Sequence, residues 1–233
     1  MNTRESYCIE RFEKISSTND YAKEKRSEGK NLLVFASSQT GGRGTKGRSF
    51  SSDIGGLYFT ALSFYENFPA SQAFTIMQGV AAAVCKTLTH FGLQPKIKWP
   101  NDIFVNGKKI CGILIENAFS GSEIRSSVVG VGLNICNELP AELTEIATTV
   151  SRETGKEICV AKVEEVFLDK LFEGTEKGEY ESYLGWLGEE VTLLIGDKKQ
   201  RASLVGVDDA GALVVKTEKG VEKFASAEIS VRV

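Results

Sequence analysis

Three short stretches carry the residue types from which phosphate and carboxylate chemistry is built. GGRGTKGRSF, residues 41–50, sets Gly42, Gly44 and Gly47 among the cations Arg43, Lys46 and Arg48. Glycine bends easily and lets backbone approach a ligand closely, and arginine presents a planar fork of donors to phosphate or carboxylate. KWPNDIFVNGKKICGILIE, residues 98–116, places Asn101 and Asp102 before an apolar run and Lys109 beyond the Asn106-Gly107 turn. Asn101 and Asp102 can form a simple turn or hold Mg²⁺ together with substrate phosphates, and Lys108 and Lys109 read equally well as a solvated pair at a hairpin turn. Lys108 and Lys109 are adjacent, so in a strand only one of them faces a given side. In VVGVGLNICN, residues 128–137, Gly130, Gly132 and Asn134 alternate. Glycines on one face of a strand leave room for something to lie close to the backbone.

The glycine loop satisfies G-x-G-x-x-G, but a dinucleotide fingerprint needs a helix beginning inside the motif. Here RSFSSDIGG, full of turn formers, leads straight into the strand-like GLYFTALSF, and Asp53 lies too close to serve a ribose. The P-loop pattern G-x-x-x-x-G-K-[ST] is absent. What is left is a solvated surface loop or a lid that closes over an anion and excludes water.

These motifs need a scaffold, and the rest of the chain supplies one. Its 233 residues are 42% apolar and 25% charged, an ordinary globular composition. IERFEKI, NLLVFASS, GLYFTALSF, KIKWP and SSVVGVGLNI read as strands, and Asn106-Gly107 between apolar runs is a hairpin signal. SQAFTIMQGVAAAVCKTLTHFG has helical spacing, with Phe74, Met77, Val80, Ala81, Val84 and Leu88 on one stripe and Gly92 at its end. A second helix-rich region runs from Leu143 to Leu187. Beyond it VTLLI, RASLVGV, ALVVKT, VEKFA and EISVRV are short, β-rich and separated by turn formers. This predicts a domain over 1–187 and a small β-barrel or sandwich over 188–233, packed on the larger part.

The net charge of −3 argues against a surface built for DNA or RNA. No apolar run is long enough to span a membrane and no secretory signal opens the chain. Five scattered cysteines without a C-x-x-C fit the reducing cytoplasm. His90, the single histidine, excludes a histidine-centred triad or zinc site.

Taken together the motifs resemble those of the biotin protein ligases. S-T-N appears as Ser17, Thr18 and Asn19; Gln39 precedes a loop of the form G-R-G-R-x-G-R at Gly42 to Arg48. W-P-N-D follows at Trp99 to Asp102, K-x-x-G-I-L-x-E at Lys109 to Glu116, and G-x-G-x-N at Gly130 to Asn134. Order and separation match over nearly the whole chain. The resemblance implies an α+β fold, a mixed β-sheet with packed helices like the class II aminoacyl-tRNA synthetases, followed by a small SH3-like β-barrel. It implies an enzyme that uses ATP and Mg²⁺ to activate biotin as biotinyl-5'-AMP, then transfers it to a lysine of a biotin carboxyl carrier domain of a carboxylase.

By the same resemblance Lys109, Arg43 and Asp102 are the catalytic residues, with Asp102 at the metal. Ser17, Thr18, Asn19, Gln39, Gly42, Arg43, Arg48, Trp99, Asn101, Lys109, Gly112, Leu114, Gly130, Gly132 and Asn134 bind the ligands. Thr18 and Gln39 would meet biotin's ureido and thioether end, Lys109 its carboxylate and the α-phosphate, and the glycines with Leu114 the pocket wall. Two related readings stand beside this one: a lipoate or octanoate ligase or transferase, and a non-catalytic biotin-binding protein. Thr45 stands where the family has a second loop arginine, which predicts weaker retention of the adenylate, and Phe50 replaces a common Trp. Only 16 residues precede Ser17, too few for a helix-turn-helix module, so no DNA binding is expected. Monomer and homodimer are both left open.

Overall fold

Strand after strand forms where the apolar runs lie. In the computed structural model, which describes residues 3–196, 198–225 and 229–232, the strands of the larger part are β1 (Cys8–Ile15), β2 (Leu32–Gln39), β3 (Gly56–Pro69), β4 (Lys96–Lys98), β5 (Asp102–Val105), β6 (Lys108–Ser120) and β7 (Glu123–Asn134). They form one seven-stranded sheet in the order β1-β2-β3-β7-β6-β5-β4. β1 and β2 run parallel, and every other neighbouring pair is antiparallel. The sheet is therefore mixed. The β5–β6 hairpin turns at Asn106 and Gly107, both with positive φ (49° and 79°), as the Asn-Gly signal requires.

The helices are α1 (Thr18–Glu24), α2 (Ala73–His90), α3 (Val150–Thr154), α4 (Val160–Glu173) and α5 (Glu179–Ser182). α1 starts where Ser17, extended at φ −153°, accepts from the Asp20 amide through Oγ at 3.3 Å, an N-cap that satisfies an otherwise orphan donor. Of the stripe its spacing predicts, α2 buries Val80, Ala81, Val84 and Leu88, with Phe74 and Met77 partly buried; Ile76 is buried as well. It packs with α4, through Val163, Phe167 and Leu171, on one face of the sheet, and this is the main core. Each fully buried aliphatic side chain there stabilises the fold by about 1.5–3 kcal/mol. The opposite face carries α1 over Leu32, Val34, Leu62 and Val128, a smaller cluster sealed by Ala22. α1 covers only part of this face, and the uncovered part becomes the site. No helix among the described residues is long and apolar enough to cross a membrane, and all five cysteines are free.

The tail departs from expectation. β8 (Glu190–Ile195), β9 (Lys198–Val207), β10 (Leu213–Thr217), β11 (Gly220–Phe224) and β12 (Ile229–Arg232) form a five-stranded antiparallel sheet in the order β11-β10-β9-β8-β12. β11 pairs with β10 and β12 with β8, at opposite edges. Among the described residues these edges do not meet, so the expected SH3-like β-barrel is not formed: the sheet is open. Closure needs strands long and tilted enough to bring the two edges into register, and the edge strands have only five and four residues. Burial against the larger part takes the place of closure. Val191, Leu193, Ala202, Leu204, Leu213 and Val215 join the main core, and Trp99 Nε1 donates to the Gly211 carbonyl at 3.1 Å. Asp197, Glu228 and Val233, which belong to the expected turn and last strand, lie outside the described residues.

Candidate functional site

Sheet register decides which residues share the open part of the α1 face. Opposed residues of adjacent strands point to the same side, and here Tyr58, Gly132, Gly112 and Asp102 oppose one another in turn across β3, β7, β6 and β5. One step along lie Thr60, Gly130 and Leu114. The middle of each row is glycine, so the floor is a trough without side chains. It belongs to a cleft of about 460 Å³.

The α1 end of the cleft is a hydrogen-bond network. The Thr18 amide donates to Gln39 Oε1 at 2.9 Å, and Thr18 Oγ1 reaches the same oxygen at 3.1 Å. Gln39 Nε2 donates to Ser52 Oγ at 2.9 Å, which ties α1 to the end of the glycine loop. Thr60 Oγ1 lies 2.8 Å from Thr18 Oγ1 and 2.7 Å from Asn19 Oδ1. Asn19 is 6% exposed, its side-chain amide lies over Gly130, and its Nδ2 is buried with no partner among the described residues.

The opposite end carries the charge. Lys109 Nζ is 2.7 Å from Asp102 Oδ1, while Lys108 turns the other way and donates to the Thr144 carbonyl at 2.8 Å. A register shift between Ile103 and Phe104 sets this pairing. The Lys109 backbone is stitched on its far side as well: its amide donates to the Ile146 carbonyl and its carbonyl accepts from Thr148, each at 2.9 Å. Asn101 is a brace; its Nδ2 donates to the Ile113 carbonyl at 2.8 Å and its carbonyl accepts from the Ile113 amide at 3.0 Å. Cys111, fully buried behind Lys109, has its thiol pushed well up by burial and is held neutral.

The glycine loop folds over as a narrow hairpin, with an Arg43–Ser49 bridge and Phe50 donating to the Gly42 carbonyl at 2.9 Å. Phe50 lays its ring into the trough, where a Cβ on Gly132 would come within 2.6 Å of it. Arg43 is held by Asp20, Nε to Oδ2 at 2.9 Å. Arg48 donates through Nη2 to Thr45 Oγ1 at 3.0 Å and through Nε to the Thr45 carbonyl at 3.2 Å.

The cleft thus gathers Ser17, Thr18, Asn19, Gln39, Arg43, Arg48, Asn101, Asp102, Lys109, Gly112, Leu114, Gly130, Gly132 and Asn134. Two residues named from sequence line none of it. Trp99 is buried and bonded to Gly211, and Gly42 is buried where a Cβ would strike the Phe50 carbonyl and Ser52 Oγ. Sequence reasoning missed Thr60, Ser52, Asp20 and the 143–147 wall. Thr60 is the polar residue within the apolar GLYFTALSF, and that interruption was the available signal. Among the described residues no three His, Cys, Asp or Glu side chains cluster as a metal cage; Asp102 is a single carboxylate at the charged end.

The cleft, with a polar end, a glycine floor and a cationic end, lies in a chain that resembles known proteins. Residues 11–134 match the biotin/lipoate A/B protein ligase family, and residues 186–232 match the biotin protein ligase C terminal domain. The fold and site therefore define a member of the biotin/lipoate protein ligase family of enzymes. Within it, the chain belongs with the biotin protein ligases. The bifunctional ligase/repressor BirA of Bacillus spizizenii is 32% identical over 240 residues, covering 93% of this chain and 72% of that protein. The biotin–[acetyl-CoA-carboxylase] ligase of Paracoccus denitrificans is 29% identical, covering 84% and 88%. The Aquifex aeolicus biotin protein ligase, solved in complex with biotin and ATP, superposes with a TM-score of 0.76 at 30% identity, covering 96% of this chain and 98% of that one.

Proposed function

We propose that this chain condenses biotin with ATP to biotinyl-5'-AMP and pyrophosphate, then passes the biotinyl group to the lysine amine of a biotin carboxyl carrier domain. The observation that carries the residue assignment is the Lys109–Asp102 pair, 2.7 Å apart at the cationic end of a glycine-floored trough. In the first step a biotin carboxylate oxygen bonds to the α-phosphorus and the bond to the pyrophosphate oxygen breaks. Two anions must approach, so a fixed cation offsets their repulsion and the charge developing on the phosphorus oxygens. Lys109 fills that role, its backbone clamped on both sides and its ammonium held by Asp102.

Arg43 and Arg48, on the loop above, add forks for the carboxylate and phosphates. Thr18, Asn19 and Gln39 face the ureido and thioether end, with Ser17 capping the helix of Thr18 and Asn19 and with Asn134 at the rim. Gly112, Leu114, Gly130 and Gly132 form the wall along the ligand, and Asn101 holds β6 in place for it. Mg²⁺ fits this donor set as an ion held by Asp102 together with substrate phosphates, since it takes few carboxylates. When bound it would neutralise phosphate charge. In the second step the carrier amine attacks the mixed anhydride carbon, the carbon–oxygen bond to phosphate breaks, and AMP leaves with the amine's proton given up. No enzyme nucleophile is required, because the adenylate is already activated. Division into units over 1–187 and 188–233 and residence in the reducing cytoplasm accompany this reading, the latter supported by the five free thiols.

The test is adenylate and pyrophosphate formation from ATP-Mg²⁺ with biotin or lipoate, followed by addition of a biotin carrier domain. Biotin-dependent adenylate and a biotinylated carrier are expected. Adenylate with lipoate alone would mean a lipoate ligase, and none with either acid would mean a binding protein.

A further inference from the structure

Glu116 closes the K-x-x-G-I-L-x-E motif, yet the chemistry above gives it no task. Its position follows from register: it opposes Val128 on the α1 face, beyond the trough. There Glu116 Oε1 meets Lys23 Nζ at 2.6 Å. Its other oxygen, Oε2, is buried without a partner among the described residues, so the carboxylate's charge is committed to Lys23; removing that cation would strand it. Lys23 in turn reaches Asp20 Oδ1 at 3.4 Å, and Asp20 Oδ2 holds Arg43 Nε at 2.9 Å. Four alternating charges run from β6 through α1 to the glycine loop.

We infer that Asp20 is a positioning residue for Arg43, held in its turn by Lys23 and Glu116. The inference rests on the ligase reading, in which Arg43 grips the ligand. The geometry gives the reason. Arg43 stands on a loop of glycines that orders at an entropic cost, and its side chain is half exposed. Asp20 engages it at Nε, the guanidinium nitrogen nearest the stem, and the same residue lines the cleft. Asp20 also lies one residue from Asn19 and two from Thr18, so the loop arginine is indexed to the helix that meets the other end of the same ligand. A pairing with the loop in water is weak in itself; its effect is on where the fork points.

The experiment is a double-mutant cycle on the full chain. Biotin KM and kcat for adenylate formation, and biotin affinity by calorimetry, are compared for wild type, Asp20→Asn, Arg43→Gln and the double variant. Asp20→Asn is expected to raise KM and Kd by about two- to fivefold, the span an exposed ion pair supports, with a smaller effect on kcat. In the Arg43→Gln background it should add nothing, and Asp20→Glu should recover part of the loss. A role confined to stabilising α1 would give additive effects, and additivity in an active enzyme overturns the inference alone. A wild-type chain that neither binds biotin nor forms its adenylate overturns the ligase reading as well. Should Asp20→Asn fail to fold, Asp20→Ser is measured in the wild-type and Arg43→Gln backgrounds instead, and additivity there also overturns the inference.

Discussion

Replacing Gly130 by alanine tests whether the trough is a real constraint. The new Cβ would lie 2.8 Å from both Cγ and Nδ2 of Asn19 and would collide with Oδ1. Neither side has slack. Gly130 is on β7, hydrogen-bonded to β3 and β6 on its two flanks. Asn19 is buried, follows the Ser17 cap and is held by Thr60 at 2.7 Å. Relief means moving Asn19, which forfeits that bond, about 1 kcal/mol, and adds overpacking strain of about 1–3 kcal/mol. A chain of this size shifts its melting temperature by about 2–4 °C per kcal/mol, so a loss of about 5–15 °C is expected. Biotin affinity should fall by about tenfold or more, since a misplaced polar contact of 1.4 kcal/mol has that effect. Gly112→Ala is the internal comparison. Its Cβ would meet Lys109 Nζ at 3.1 Å and Cε at 3.2 Å, the flexible end of a side chain that can yield. That variant should melt near wild type while losing adenylation rate, because the ammonium is displaced. Differential scanning fluorimetry with calorimetric biotin titration decides the matter. A Gly130→Ala protein melting within about 2 °C of wild type, with unchanged biotin affinity, would refute the steric argument.

Lys109→Met keeps the stem and removes the charge; pyrophosphate release with saturating biotin should fall by about 10²–10³-fold, with the circular dichroism spectrum unchanged. Thr45→Arg gives up the Thr45 Oγ1 contact with Arg48 but adds a third arginine fork to the loop, so the half-time of bound biotinyl-AMP should lengthen by about three- to tenfold; equal half-times would sink the idea. Burial pushes the Tyr7 hydroxyl from 10.0 to about 12. The folded state therefore keeps a proton that the unfolded state loses, and the stabilisation, complete below pH 10, disappears as pH rises through about 12. Denaturant midpoints measured across that interval should fall, and less steeply in Tyr7→Phe.

The order of elements was legible because its signals are local. Alternation marked β1 and β7, the Asn106-Gly107 pair marked the β5–β6 turn, and the apolar stripe of α2 needed only its own residues. The three chemical stretches were legible as motifs, and the structure gathers them in one cleft. What stayed hidden depends on register between distant strands. Thr60 looks like a polar slip in an apolar run until its pairing with Gly130 sets it beneath α1. Asp20 looks like an ordinary acidic residue of a short helix until the loop brings Arg43 to it. Trp99 enters as a ligand residue through the W-P-N-D resemblance; in the fold its indole Nε1 bonds the Gly211 carbonyl between β9 and β10. The open tail sheet belongs to the same class: turn formers and short runs count strands, whereas closure depends on whether the first and last meet.

The bare floor of the cleft also bears on what the enzyme could become. Gly112, Gly130 and Gly132 have no smaller substitute, so every mutation at these positions takes room away and none adds it. Depth is already at its limit. A lineage or a laboratory selecting for bulkier acids could not deepen this trough and would have to recruit change at its roof, where Phe50 fills the space above Gly132, or at its side, where Leu114 flanks Gly130. The glycines mark the fixed end of the adaptive landscape and the loop aromatic its adjustable end.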